Sequence, residues 1–163
     1  EVTETNNASF TGFGVKKILQ PTKSLPDYNT ESDADVAIMR YAHVLLMIAE
    51  AENEVNGPTE KALKAINAVR TRSHQPAIDG ENLTQAELRE RIRNEWRVET
   101  CFEGLRYFQL KRWKLLQQTV DGAVDPAYPA YTKVVTSAFE YFPLPQDEID
   151  KAHGVLVQDP NYQ

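Results

Sequence analysis

The segment from Leu88 to Arg106 has the spacing of an amphipathic helix, but charged residues lie on the stripe where apolar ones are expected. At 3.6 residues per turn, three apolar and three charged side chains share this stripe: Leu88, Ile92, Phe102, Glu95, Glu99 and Arg106. Ionised groups are costly to remove from water unless they are paired. The sequence therefore predicts that Glu95, Glu99 and Arg106 are structural buried charges, and that the fold brings partners to them.

Two interpretations of Glu95 and Glu99 follow from their spacing. Two carboxylates one helical turn apart can act as an acid/base pair, because neighbouring carboxyl groups can acquire separated pKa values. Alternatively, both are held in internal ion pairs by arginines that are near in sequence: Arg70, Arg72, Arg106 and Arg112. The second interpretation is favoured, since buried ion pairs more often hold elements together than perform chemistry.

Length and charge restrict the class of protein. At 163 residues the chain is long enough for one hydrophobic core, and we predict a single domain over residues 1–163. The net charge of −6 argues against nucleic acid or an anionic membrane surface as a partner. No run reaches the 18 or more apolar residues of a membrane-spanning helix. The single Cys101 lies within the charged helical segment and is predicted to be a small buried side chain.

The first half of the chain is predicted to contain a helical hairpin followed by a third helix. Apolar spacing predicts helices over 36–55 and 58–72, with Asn56 and Gly57 between them and Pro58 at the start of the second. Proline suits the first turn of a helix, where its missing N–H would be unbonded anyway. Two helices with so short a connection form an antiparallel pair. Thr84 and Glu87 have the spacing of a capping box, which predicts the start of the third helix.

The second half is predicted to contain shorter elements. Apolar residues occur almost all round the segment 105–118, which predicts a fourth helix that is covered by protein on most sides. The composition of 121–132 is typical of a loop, and that of 134–142 is typical of a strand. Pro145, followed by acidic residues, predicts a short helix. A short strand over 13–19 and an extended tail after 154 complete the prediction.

Patterns typical of enzymes and metal sites are absent from the sequence. It has no glycine-rich phosphate loop, no GxSxG and no HExxH, and its three histidines are far apart: His43, His74 and His153. We therefore expect no catalytic site, no metal and no cofactor. Tyr128 and Tyr131, in a proline-rich segment, are the candidate ligand-binding residues, because an aromatic ring can stack on the C–H face of a sugar. The alternative is that they pack the segment onto the domain.

Several blocks of the sequence resemble the carboxy-terminal region of the SusD/RagB family. They are RYAHVLLMIAEAENE at 40–54, ALKAINAVRTR at 62–72, the block at 83–113, YFPLPQDEI at 141–149 and, before them, TGFGVKKIL at 11–19. The resemblance implies a mainly α fold with TPR-like helix hairpins, long loops and a few short strands. The sequence departs from the family pattern at Gln109, where Asp is usual, at Lys114, where Gly is usual, and at His74, where a small residue is usual.

The resemblance also implies a function. Family members are typically lipoproteins on the outer-membrane surface of Bacteroidetes, which bind glycans without catalysis and deliver them to a TonB-dependent transporter. The expected partners are therefore an oligosaccharide and such a transporter, with membrane attachment only through a lipid anchor that this chain lacks. The chain is expected to be a carboxy-terminal piece of a longer protein. The alternative function is that of a helical TPR-like protein-interaction scaffold, with glycan recognition located elsewhere in the full chain.

Overall fold

The computed structural model describes Val15, Lys17 and residues 37–125 and 128–162. Most of the strand predicted over 13–19 lies outside the described residues. The described chain divides into two compact units. The helical unit contains the described residues up to Gly104, and the carboxy-terminal unit contains those from Leu105 onward.

The described residues of the helical unit contain three helices: α1 (Tyr41–Asn56), α2 (Glu60–Arg72) and α3 (Gln85–Glu99). The predicted hairpin of α1 and α2 is confirmed, although α1 begins five residues later than the apolar spacing predicted. Gly57 ends α1 with φ 79°, a value that favours glycine, and Thr59 caps α2 by accepting a hydrogen bond from the Ala62 N–H at 3.3 Å.

The capping box predicted for α3 is present. Thr84 Oγ1 accepts from the Glu87 N–H at 3.2 Å, and Glu87 Oε2 accepts from the Thr84 N–H at 2.8 Å. Two donors that a helix start leaves unbonded are therefore satisfied. The start of α3 is also bound to the end of α1, because Asn53 Nδ2 donates to Gln85 O at 3.1 Å and Gln85 Nε2 donates to Asn53 O at 2.6 Å.

The inner faces of the three helices form the core of the helical unit. Its buried apolar side chains come from all three helices: Ala42, Leu46, Ala49, Ala62, Ala65, Ile66, Val69, Leu88, Ile92 and Trp96. The alanines of α1 and α2 allow these two helices to approach closely. Contact of α1 with both α2 and α3 places one face of α1 at the centre of this unit.

The turn after α3 corrects two predictions. Because α3 ends at Glu99 and the chain then turns through residues 100–104, Cys101 and Phe102 are exposed and do not continue the buried stripe. The Thr100 hydroxyl donates to Trp96 O at 2.6 Å, and Phe102 and Gly104 adopt positive φ values of 64° and 74°. A helical periodicity extrapolated beyond Glu99 was therefore wrong.

The predicted fourth helix is two helices, α4 (Arg106–Arg112) and α5 (Leu116–Val120). Lys114 lies between them with φ 57°. The Lys114 N–H donates to Lys111 O at 2.9 Å and the Leu115 N–H donates to Leu110 O at 2.8 Å. This pair of hydrogen bonds is a Schellman motif, which ends a helix at a left-handed residue that is usually glycine. Leu110 and Leu116 then pack with Val135 in a small core.

Strand structure occurs where the sequence predicted a loop. Strand β1 (Val124–Asp125) pairs antiparallel with β2 (Tyr128–Thr132), with an irregular register. Backbone hydrogen bonds from Gly122 N–H to Lys133 O and from Lys133 N–H to Ala123 O, at 2.9 and 3.0 Å, extend this pairing. The strand predicted over 134–142 was wrong, and a 3₁₀ turn at Ser137–Glu140 occupies part of it. Strand formation depends on a pairing partner, which propensity does not supply.

The last helix, α6 (Gln146–Lys151), follows Pro145 as predicted, with Asp147 and Glu148 in its first turn. The tail was predicted to be extended but contains a 3₁₀ turn at Pro160–Tyr162. The Tyr162 hydroxyl lies 2.6 Å from Ala138 O and therefore ties the tail to the preceding turn. Within the described part of the chain, no helix is both long and apolar enough to span a bilayer.

Candidate functional site

Glu95 is buried on the inner face of α3, with 5% of its surface exposed. Its Oε2 accepts from Arg70 Nη1 of α2 at 2.7 Å. Arg70 is further oriented by a hydrogen bond from its Nε to Pro76 O at 2.9 Å. The pair therefore joins α2 to α3 through one charge-assisted contact in a largely dry environment.

Glu99 lies one turn further along α3, with 9% of its surface exposed. Its two oxygens are held by arginines from different parts of the chain, Oε1 by Arg40 Nη1, just before α1, at 2.7 Å and Oε2 by Arg72 Nη2 of α2 at 2.5 Å. Burial alone raises the pKa of this carboxyl, but the hydrogen bonds from Arg72 and Arg40 outweigh it, so the pKa lies below its usual range. Glu99 is therefore ionised at neutral pH and is not a proton donor.

Arg40 also reaches Glu103 in the turn after α3, with Nη2 at 2.6 Å from Oε1. Glu103 pairs with Lys17 as well, and its Oε2 lies 2.8 Å from His43 Nε2. Burial raises the pKa of Glu103, but hydrogen bonds from Lys17, Arg40 and His43 lower it to about 2. His43 Nδ1 accepts from the Arg40 N–H at 3.3 Å, so the neutral ring carries its proton on Nε2 and donates it to Glu103.

These contacts form one ion network at the end of α3, which we define by Lys17, Arg40, His43, Arg72, Glu99 and Glu103. The Glu99 carbonyl accepts from Arg40 Nη2 at 3.0 Å and from Lys17 Nζ at 2.5 Å. Cations at a helix carboxyl end are stabilised by the helix dipole. Each carboxylate of the network is held by cations, and such ion pairs position helices relative to one another. Neither carboxyl group is protonated at neutral pH, as a general acid would need to be.

The sequence predicted part of this arrangement. Arg70 and Arg72 are the partners of the α3 carboxylates, as their sequence positions suggested. The sequence reasoning missed Arg40 and Glu103, although Arg40 immediately precedes α1, where a long side chain can reach the neighbouring helix end. Arg106 lies on α4 in the carboxy-terminal unit, is half-buried, and has its guanidinium carbon 6.0 Å from the Trp113 ring centre.

Tyr128 and Tyr131 both lie on β2, in the carboxy-terminal unit. Residue 128 pairs with Asp125 of β1 across the antiparallel ladder. A strand alternates its positions between the two faces of a sheet, and 128 and 131 are an odd number of residues apart. The two tyrosines are therefore separate candidates, and each requires its own variant.

A second group of aromatic residues in this unit surrounds a lysine. Tyr107 packs against the Leu110 core cluster and makes an edge contact with Phe108 at 5.5 Å and a tilted contact with Phe142 at 6.2 Å. Lys111 Nζ lies 4.1 Å from the Phe142 ring centre and 5.3 Å from that of Tyr107. Phe142 is 66% exposed. We call these four residues the aromatic–lysine surface, an exposed ring beside a cation that sequence reasoning did not identify.

The helical unit has a shallow groove of about 340 Å³. Ile78 is the one apolar side chain of its lining. The other lining residues are polar or charged: Arg70, Glu90, Arg91 and Asn94. It contains no aromatic ring on which a sugar could stack. The aromatic–lysine surface differs from this groove in that it contains three aromatic rings.

Comparison with known proteins identifies the family. The family model described as the SusD family matches residues 1–162. SusD-like protein P2 of Formosa agariphila is 31% identical over 138 residues, which cover 81% of this chain and 27% of that protein. A SusD-like protein from Bacteroides fragilis has a TM-score of 0.63 at 30% identity, covering 75% of this chain and 25% of the other.

A further solved structure, surface glycan-binding protein A from Bacteroides thetaiotaomicron, has a TM-score of 0.60 at 30% identity, covering 78% of this chain and 25% of that chain. The chain thus spans about a quarter of the length of these relatives. The family model matches nearly all of the sequence. The mainly helical fold, with its α1–α2 hairpin, agrees with this match. This chain belongs to the SusD family.

Proposed function

We propose that this chain takes part in non-catalytic glycan binding at a bacterial cell surface. The observation that carries the proposal is its similarity to surface glycan-binding protein A, at 30% identity over 78% of the chain, within a family match over residues 1–162. The ion network supports the non-catalytic part, because the pKa values of Glu99 and Glu103 are lowered and neither carboxyl can donate a proton at neutral pH.

The cellular context of the proposal rests on the family resemblance. The glycan would be delivered to a TonB-dependent transporter, and the protein would be held on the outer-membrane surface by a lipid anchor. Because the chain spans about a quarter of its relatives' length, residues elsewhere in a longer protein would share in binding.

Within this chain, the proposed ligand contacts are Tyr128, Tyr131 and the aromatic–lysine surface. A sugar presents a C–H face that packs on an exposed ring, and Phe142 offers such a ring. Tyr107 is held by the small core and in turn positions Phe142 and Lys111, so the surface is arranged before a ligand arrives. Lys111 adds a donor for a sugar hydroxyl or carboxylate.

The test is isothermal titration of the chain against plant, host and bacterial oligosaccharides. The variants Tyr128→Ala, Tyr131→Ala and Phe142→Ala are measured separately, and each loss of a stacking ring is expected to weaken binding about 5- to 30-fold, corresponding to about 1–2 kcal/mol. Phe102→Ala is the matched control, because Phe102 is an equally exposed phenylalanine in the helical unit. Its affinity should equal that of the unchanged chain.

Three results separate the parts of the proposal. Binding that is weakened by any of the three ring variants and not by Phe102→Ala supports a glycan site in this chain. If all three variants bind glycan as tightly as the unchanged chain, these ring contacts are rejected, while glycan binding by the chain is retained. The absence of binding across the panel rejects glycan binding by this chain.

The second candidate function is a helical protein-interaction scaffold, with glycan recognition located elsewhere in a longer chain. A specific observation favours it, namely the large apolar side chains that α1 exposes on the side opposite its buried face, among them Tyr41 and Val55. Unchanged or absent glycan affinity together with protein association through α1 would favour this function.

A further inference from the structure

The ammonium of Lys111 lies against aromatic rings and not against a carboxylate. Its Nζ is 4.1 Å from the Phe142 ring centre and 5.3 Å from that of Tyr107. Among the side chains that the structure describes, no Asp or Glu pairs with Lys111. A ring attracts a cation through its quadrupole but is no strong hydrogen-bond acceptor, so N–H donors of this ammonium remain available to a ligand.

Other cations of the chain find their anions within the chain. Arg72 pairs with Glu99 in the helical unit, and Lys151 pairs with Glu148 in the carboxy-terminal unit. Lys111 differs from them because two rings lie where those side chains have a carboxylate. A ligand can therefore supply the anion that completes an ion pair with Lys111.

The segment that contains Lys111 carries charge of one sign. Residues 105–120 include four cationic side chains and no acidic one: Arg106, Lys111, Arg112 and Lys114. This segment belongs to a chain whose net charge is −6. A local excess of positive charge attracts an anionic ligand and raises its concentration near the surface.

The exposed ring beside Lys111 indicates what kind of anion the surface accommodates. Phe142 remains 66% exposed although the lysine covers part of its ring. An acidic side chain of a protein would pair with the ammonium and leave the Phe142 ring exposed to water. A sugar that carries a carboxylate would engage both, because its C–H face packs on a ring and its carboxylate accepts from an ammonium.

We propose that the aromatic–lysine surface selects acidic glycans, in which a uronic acid presents its carboxylate to Lys111. The proposal rests on the glycan-binding function proposed above and names the class of glycan for this surface. Tyr107, which is packed on the small core, and Phe142 position the ammonium before a ligand arrives. Less side-chain entropy is therefore lost when the ion pair forms.

Isothermal titration of the full chain against matched ligand pairs tests the selection. The ligands are oligomers of galacturonate, glucuronate and mannuronate, each with its methyl ester, which has the same ring faces and no charge. We expect at least one acid to bind about tenfold more tightly than its ester, the effect of one charge-assisted hydrogen bond. At about 1 M salt, which screens charges beyond about 3 Å, this preference should fall while the affinity for the ester stays.

Variants of single lysines assign the preference to this surface. Lys111→Met removes the charge, retains most of the aliphatic stem and should abolish the preference for the acid, whereas Lys111→Arg should keep it. Lys64→Met is the control, because it changes the net charge equally at an exposed lysine of the helical unit. Far-UV circular dichroism checks folding, and the salt dependence of the unchanged chain tests the ion pair without any variant.

The outcomes separate this selection from glycan binding itself. Equal affinity for acids and esters overturns the proposal and leaves glycan binding intact. A preference that persists in Lys111→Met, or at high salt, also overturns it. Binding of neutral glycans without binding of any uronate rejects the proposal alone. The absence of binding to every acidic and neutral glycan rejects the proposed function and the selection together.

Discussion

Replacing Arg70 by methionine is expected to destabilise the helical unit by about 3–5 kcal/mol, because it leaves the Glu95 carboxylate buried without its cation. The Glu95 side chain is 6% exposed, and its Oε2 is held by Arg70 Nη1 at 2.7 Å. Methionine retains most of the aliphatic length of arginine, so lost packing contributes little. The lost Arg70 bond to Pro76 O is exposed and adds at most about 1 kcal/mol.

Glu95 is a sharper target than Glu99 for this experiment. If Glu99 is truncated, Arg40 still pairs with Glu103, and Arg72 is exposed enough to be solvated. The charge left behind is therefore partly compensated, and the expected loss is smaller. Arg70→Met leaves no such compensation for Glu95.

The assay is urea unfolding at pH 7, followed by far-UV circular dichroism. The double variant Arg70→Met/Glu95→Leu removes both charges and should recover most of the lost free energy, because an apolar pair of similar volume avoids desolvating ions. Glu90→Ala is the control on the same helix, since Glu90 is 69% exposed and pairs with Arg93 on the surface. It should change the free energy of unfolding by less than about 1 kcal/mol.

A loss of stability in Arg70→Met no larger than that in Glu90→Ala would refute the role assigned to the Arg70–Glu95 pair. It is also refuted if the double variant is as unstable as Arg70→Met, because the loss would then come from packing and not from an uncompensated charge.

Two further predictions concern the ion network and the α4–α5 break. Because the pKa of Glu103 is lowered from 4.5 to about 2 on folding, its ionised form stabilises the fold above pH 4.5, and this stabilisation is lost as the pH falls through 2. Glu103→Gln should therefore lower the free energy of unfolding at pH 7 by on the order of 3 kcal/mol and flatten its fall between pH 4.5 and 2. If the free energy of unfolding of Glu103→Gln falls as steeply between pH 4.5 and 2 as that of the unchanged chain, the lowered pKa of Glu103 is contradicted. Lys114→Gly should raise stability by about 0.5–1 kcal/mol in a thermal melt, because relief of the left-handed strain exceeds the added entropy of the unfolded chain. Lys114→Ala keeps the strain and should give no gain, and a decrease with glycine would refute the strain argument.

Local signals in the sequence were sufficient for the starts of α3 and α6, whereas α1 begins five residues later than its apolar spacing predicted. Thr84 and Glu87 predicted the capping box of α3, and Pro145 with its following acidic residues predicted α6. These signals act within one turn of backbone and need no distant partner. The break after α4 was not predicted, although the family resemblance places glycine at position 114, where Lys114 adopts a left-handed conformation.

The candidate site was less predictable from the sequence. Helical spacing identified Glu95 and Glu99, and proximity in sequence identified Arg70 and Arg72. Arg40 was missed because it lies 59 residues from Glu99 in sequence and reaches it only through the packing of α1 on α3. The aromatic–lysine surface was missed for the same reason, since Phe142 meets Tyr107 only after the chain has passed through the β1–β2 hairpin.

The sequence by itself determined that the chain is mainly helical, where most helices begin, which α3 carboxylates need partners, and to which family it belongs. Each of these depends on periodicity, on capping within one turn or on ordered sequence blocks. Only the tertiary structure decided where α3 stops, which cations hold Glu99 and Glu103, where the strand pair forms, and which apolar face of α1 is left uncovered. These depend on contacts between residues far apart in sequence, whose energies no local pattern records.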